Sequence, residues 1–116
     1  MQGEKILVLF DVDQTLTPAR QSIQADMIET LDAVAAKGVH LGIVSGSDIV
    51  KVTEQVTQAT VDKCEFTFAE NGLFAMKRGE MFSKQSFKDH LGEANLKRLI
   101  NFSLRYIADL DIPIKR

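Results

Sequence analysis

Cysteine occurs once, at Cys64, so no disulfide can form within the chain, and the composition suits a reducing compartment. Charge of one sign is not in excess either. The 14 Lys and Arg against 16 Asp and Glu leave a net charge of -2, which offers no footprint for nucleic acid or an anionic membrane. No apolar run approaches the roughly 18 residues that cross a bilayer. The apolar stretch nearest the start, Ile6-Leu7-Val8-Leu9-Phe10, is too short for a signal peptide. Repeats and low-complexity tracts are missing as well. What is there is ordinary for a soluble globular protein: 116 residues, 45% hydrophobic and 26% charged, enough for one domain or one domain plus part of another. The expectation is a soluble, cytoplasmic protein.

The run Ile6–Phe10 is continuous, β-prone and cut off by Asp11-Val12-Asp13, the pattern of a strand buried on both faces of a parallel sheet. Met27, Leu31, Val34 and Ala35 recur at helical spacing within residues 24–37, and Gly38 stands where a helix end takes a positive φ. Residues 39–44 predict a second strand, which stops at Ser45-Gly46-Ser47-Asp48. Residues 49–56 predict a second helix, capped by Ser47 or Asp48. Strand, helix, strand, helix in succession implies right-handed crossovers and an α/β layered fold. Residues 66–69 predict a third strand, and residues 73–77 and 80–83, joined at Arg78-Gly79, an antiparallel hairpin. The longest helical pattern, residues 92–110, carries Leu96, Leu99, Ile100, Ser103, Leu104 and Ile107; Pro113 bars any continuation. The polar stretch Lys88-Asp89-His90 is expected to join two structural units.

The strongest chemical signal is Asp11-Val12-Asp13-Gln14-Thr15-Leu16-Thr17, directly after the first strand. Ligand sites of open α/β sheets lie beyond the carboxyl ends of the strands. Two carboxylates one residue apart at that end can share a hard cation with a phosphorylated substrate. Asp11 could attack a phosphoryl group, and Asp13 could protonate the leaving oxygen and deprotonate the acceptor. Two acids in a turn are also ordinary loop residues, and the pair alone leaves both readings open. Ser45-Gly46-Ser47-Asp48, at the next strand end, offers a hydroxyl, a glycine and a helix N-terminus, which suit a phosphate cradle. A plain Ser/Asp helix cap is the alternative, and the company of Asp11 favours the cradle.

Together these motifs resemble the haloacid dehalogenase-like superfamily. With Phe10–Asp13, Leu16-Thr17, Arg20, Gly46-Ser47-Asp48, Glu70-Asn71-Gly72-Leu73 and residues 107–113, the chain is similar to the N-terminal half of eukaryotic-type phosphomannomutases. That resemblance implies a Rossmannoid parallel-sheet core over residues 1–83 and the start of an α+β cap over residues 84–116. It implies Asp11 as nucleophile and Mg²⁺ ligand, and Asp13 as general acid/base and, through its backbone carbonyl, second contact to the metal. Thr15 and Ser45 or Ser47, with Gly46, would hold the transferring phosphoryl group. Arg20 and Arg116 would contact substrate, since a guanidinium grips phosphate bidentately. The reaction implied is interconversion of mannose 6-phosphate and mannose 1-phosphate through an aspartyl-phosphate and an activating hexose bisphosphate, supplying GDP-mannose. A homodimer through the cap is implied, with no nucleic-acid or membrane partner.

Two positions depart from the family pattern. Gln14 stands where Gly is usual, which costs strain if the backbone there needs a positive φ. Ser45 stands where close relatives often have Gly. The superfamily's phosphate-binding Lys and downstream acidic metal ligands have no place before Arg116, so the chain is expected to be a piece of a longer enzyme and inactive by itself. An exposed apolar face is then expected on the helix of residues 92–110. The alternatives are a sugar phosphatase of the same superfamily and a non-catalytic fragment that only binds a phosphate ligand or a partner. Cys64 reads as packing, His40 and His90 lack metal-ligand partners, Glu70-Asn71-Gly72 reads as a structural turn, and residues 84–89 as a solvated face.

Overall fold

The computed structural model describes residues 4–115; Arg116, expected to meet substrate, lies outside them. Five strands form one sheet in sequence order: β1 (Leu7–Asp11), β2 (His40–Val44), β3 (Phe66–Ala69), β4 (Phe74–Lys77) and β5 (Glu80–Lys84). β1, β2 and β3 are parallel, while β4 and β5 run antiparallel to their neighbours. The helices are α1 (Ala25–Ala36), α2 (Ile49–Val56), α3 (Gln58–Lys63), α4 (Phe87–Leu91) and α5 (Glu93–Asp109). This is the α/β architecture that the strand–helix alternation implied.

Side chains alternate across the sheet, so each strand feeds two faces. On one face Leu41, Ile43 and Ala69 are buried together with Val12, Leu16 and Ile23 of the β1–α1 connection, Leu31 of α1, Val52 and Val56 of α2, Val61 of α3 and Cys64. Phe10, Phe74 and Met76 pack against them. The other face is different. Leu7 and Leu9 are 43% and 48% exposed, and Phe82 is 55% exposed. The expectation that β1 is buried on both faces is therefore overturned. Among the described residues it has one neighbour, β2, and stands at the edge of the sheet with one side covered.

Two helices were not legible. α3 has six residues, too few for a period to register, and starts at Thr57, whose hydroxyl accepts from the Thr60 N–H at 3.3 Å. α4 occupies the stretch read as a polar link; Ser86 caps it through the Asp89 N–H at 3.4 Å. Gly38 has φ +83°, as the helix end at α1 required, and Asp48 rather than Ser47 caps α2 through the Lys51 N–H at 2.8 Å. The chain divides into two compact units, Met1–Lys84 and Gln85–Arg116. Within the second, neither helix has a buried residue, and Ile100, Phe102, Leu104 and Ile107 of α5 are about half exposed or more. No helix among the described residues is long and apolar enough to cross a membrane.

Candidate active site

Asp11 ends β1 level with Val44 of β2, so the first carboxylate and the Ser45–Asp48 turn leave the sheet side by side. The turn after Asp11 is shaped by what it buries. Val12, Leu16 and Thr17 are 2%, 3% and 4% exposed, and the Val12 carbonyl accepts from the N–H groups of Thr15, Leu16 and Thr17 at 3.2, 2.9 and 3.0 Å. The Thr17 hydroxyl adds a longer bond to that carbonyl, at 3.4 Å. With the apolar side chains anchored inward, Asp11, Asp13, Gln14 and Thr15 are left facing solvent. Gln14 takes φ +62°, with its N–H on the Thr17 carbonyl at 2.7 Å, so the departure from Gly does place a long side chain in the left-handed region.

Asp13 is held by two donors on the same oxygen. The Arg20 backbone N–H lies 3.0 Å from Oδ1 and the Gln55 side-chain Nε2 2.7 Å from it. The Arg20 N–H, then the Gln55 amide, hold the carboxyl below its ordinary value of 3.8, with smaller help from the Arg20 and Lys51 charges. Arg20 reaches this carboxylate through its backbone, at φ +57°, and its side chain is exposed. Gln55 is a functional candidate that sequence reasoning missed. It is only 8% exposed and stands with Val52 and Val56 on the buried stripe of α2. A polar residue on an apolar stripe was the signal available.

Asp11, Ser45 and Gly46 line one cleft of about 430 Å³, together with Val44, Phe68, Asn71 and Gly72. Asn71 is the second residue missed. Its N–H donates to the Ser45 carbonyl at 3.0 Å, and the Glu70 N–H donates to the Ser47 carbonyl at 2.9 Å, so the Glu70–Gly72 turn is stitched onto the phosphate-cradle candidate. A Cβ at Gly46 would lie 3.1 Å from the Asn71 side-chain oxygen, which leaves little room there for a larger residue. Ser45 Oγ accepts from the Ser47 N–H at 3.1 Å. The cleft thus joins a carboxylate to polar side chains and exposed main chain, a setting that can accept an oxyanionic group. Thr15 and Ser47 lie in the flanking turns and are not among the residues that line it.

Among the described residues no group of three or more His, Cys, Asp or Glu gathers to hold a metal. Asp11 and Asp13 could still supply the protein's share of a Mg²⁺ shell, because that ion commonly takes one or two carboxylates and fills the rest with water and substrate oxygens. Cys64 is buried in the core, where desolvation pushes its thiol up to about 11. It is packing, not a nucleophile.

A family profile for eukaryotic phosphomannomutase matches residues 27–116. The chain is 53% identical over 111 residues to a phosphomannomutase of Dendrobium officinale and 50% identical over 115 residues to that of Schizosaccharomyces pombe. Those matches cover 96% and 97% of this chain but 44% of each relative, so the chain spans less than half the length of these proteins. The fold is similar to that of a haloacid dehalogenase-like hydrolase from B. subtilis, with a TM-score of 0.64 at 14% identity over 84% of this chain and 34% of that one. A site of paired strand-end carboxylates on this fold, with such relatives, leads to one assignment: the chain belongs to the eukaryotic phosphomannomutase family.

Proposed function

We propose that this chain supplies the nucleophile-bearing part of a phosphomannomutase, with residues 1–83 as part of the core domain and residues 84–116 as the start of a cap. The observation that carries the reading is Asp11 at the end of β1, in one cleft with Ser45 and Gly46 and separated by one residue from Asp13, whose carboxyl the Arg20 N–H and the Gln55 amide hold below its ordinary pKa. Asp11, charged by a hexose bisphosphate, carries the phosphoryl group. An ionised Asp13 takes the proton from the attacking hydroxyl of a hexose monophosphate and so becomes the acid that protonates the leaving oxygen in the second transfer. Mannose 1-phosphate and mannose 6-phosphate are then exchanged through the bisphosphate, which supplies GDP-mannose synthesis. Ser45, Gly46 and Ser47, with Thr15, hold the phosphoryl oxygens, while Arg20 and Arg116 meet the sugar phosphate. Asp11 and Asp13 would hold Mg²⁺, which would neutralise charge on the transferring group. Cytoplasmic location and dimerisation through the completed cap belong to the same reading.

The test is a hybrid in which this chain replaces the matching segment of the Schizosaccharomyces pombe relative. The expected result is Mg²⁺-dependent formation of mannose 1-phosphate, abolished by Asp11→Asn. Release of inorganic phosphate with no sugar 1-phosphate would make the site that of a phosphatase, and full activity in Asp11→Asn would remove Asp11 from the chemistry.

A further inference from the structure

Among the described residues, those that line the Asp11 cleft include no Lys, Arg or His. A phosphoryl group held there meets neutral donors instead, and only two of the lining side chains can donate, Ser45 and Asn71. The Ser45 hydroxyl accepts from the Ser47 N–H at 3.1 Å and has one proton left to give. The Asn71 amide has two, and among the described residues it makes no side-chain hydrogen bond. Its backbone is strained. Glu70, Asn71 and Gly72 have φ of +53°, +56° and +92°, a left-handed run that L-residues rarely sustain. The Asn71 N–H on the Ser45 carbonyl and the Glu70 N–H on the Ser47 carbonyl, at 3.0 and 2.9 Å, hold that run. Gly would meet the same φ without strain, yet a side chain stands at position 71. That side chain lies against the cradle: a Cβ at Gly46 would be 3.1 Å from Asn71 Oδ1 and 3.8 Å from Nδ2. With the oxygen nearer Gly46, the two N–H donors are left for the cleft. Strained backbone that presents a polar group to a ligand cleft points to function.

We infer that the Asn71 amide donates a hydrogen bond to a non-bridging oxygen of the phosphoryl group on Asp11, beside the Ser45 hydroxyl. The inference rests on Asp11 being the nucleophile. A phosphoryl group in transfer spreads its charge over three equatorial oxygens. Donors fixed in advance toward those oxygens stabilise the group in transfer more than they stabilise bound substrate. The apolar walls of the cleft, Val44 and Phe68, strengthen such a bond by lowering the local dielectric. A role in the turn alone would ask only for positive φ, which Gly supplies as well as Asn. The two accounts part at one substitution, Asn71→Gly.

In the hybrid enzyme, Asn71→Gly keeps the turn and removes the amide. It is expected to lower kcat roughly 10-fold to 100-fold, as for a lost hydrogen bond to a charged group, with KM for mannose 6-phosphate nearly unchanged. Affinity for orthovanadate, which takes the five-coordinate shape of the group in transfer, is expected to fall by the same factor. The melting temperature stays level, because the strain that Gly removes offsets the freedom it gives the unfolded chain. Asn71→Asp, which meets the phosphoryl group with an acceptor of like charge, lowers kcat and orthovanadate affinity further. Unchanged kcat and orthovanadate affinity in Asn71→Gly would overturn the inference, and so would losses in both variants that merely track a lower melting temperature. Activity that survives Asp11→Asn removes the nucleophile reading instead, whereas an enzyme that needs Asp11 and is indifferent to Asn71 strikes only the role of Asn71.

Discussion

The two ends of the sheet treat charge in opposite ways. At the carboxyl ends of β1 and β2, Asp11 and Asp13 stand exposed, and no basic side chain among the described residues comes within ion-pair distance of either. The surrounding turns run through positive φ at Gln14, Arg20, Glu70 and Asn71. At the other end Glu65, just before β3, gathers Arg78 Nη2 at 2.6 Å, His40 Nδ1 at 3.5 Å and Lys77 Nζ at 3.6 Å. Main-chain bonds from the Glu65 N–H to the Leu41 carbonyl and from the Arg78 N–H to the Glu65 carbonyl, at 2.8 and 3.1 Å, fix that cluster. One end neutralises its own charge and serves the fold. The other leaves Asp11 and Asp13 without an ion pair among the described residues, beside turns of strained backbone, an arrangement that makes sense where a ligand supplies the countercharge.

The sharpest way to break this comparison is to alter both carboxylate ends and read activity and stability together. In the hybrid enzyme, Asp13→Asn keeps an oxygen for the Gln55 and Arg20 donors but loses the proton carrier. It is expected to lower kcat by about 10²–10⁴-fold with the melting temperature nearly unchanged. Gln55→Leu is milder. It removes the 2.7 Å donor to Asp13 while suiting the apolar stripe of α2, and is expected to lower kcat roughly tenfold, a charged hydrogen bond's worth. Because that donor favours the ionised form, its loss raises the Asp13 pKa, and the acid limb of the pH–rate profile moves to higher pH. A Gln55→Leu enzyme that unfolds, or keeps its acid limb in place, would make Gln55 a core residue only.

What the sequence showed and what it hid follow from range. Met27, Leu31 and Val34 report α1 because a helix period is local, and Asp11 is legible because a strand that stops at an acid marks its own end. Gln55 was hidden because its partner, Asp13, is 42 residues away and nothing in spacing joins them. Asn71 read as a turn residue, and is one, at φ +56°; that the same turn is bonded to Ser45 is a tertiary fact. β1 is the instructive failure. Its composition is that of a strand covered on both sides, and in this chain only one side is covered. The covering layer and second neighbour that such a composition calls for are not found among the described residues.

At the self-neutralised end the expected effects are smaller and fall on stability. Glu65 is partly buried, which by itself disfavours its charge, but Arg78, then Lys77 and His40, outweigh that and set its pKa below the ordinary 4.5. A lowered folded pKa means that the stabilisation is fully present above about pH 4.5 and is lost as pH falls through the lower folded value. Glu65→Gln should therefore melt a few degrees lower at neutral pH, the two curves converging in acid, with kcat of the hybrid unaffected. A fall in kcat would show that the two ends are coupled and that the division between them is wrong.

The smallest effect returns to the site and has the opposite sign. Gln14 holds φ +62° because the Thr17 carbonyl takes its N–H at 2.7 Å and the buried Val12, Leu16 and Thr17 leave the turn no other path. A side chain there is strained by about 1–2 kcal/mol relative to Gly. Gly gives back part of that through a freer unfolded chain, roughly 0.4–1 kcal/mol. Gln14→Gly is thus expected to stabilise the chain by about 0.5–1 kcal/mol, read as a higher urea midpoint at unchanged slope. A lower midpoint would mean that the Gln14 side chain earns its place through a contact in the folded state, and the strain at this end would then be structural rather than tolerated for the site.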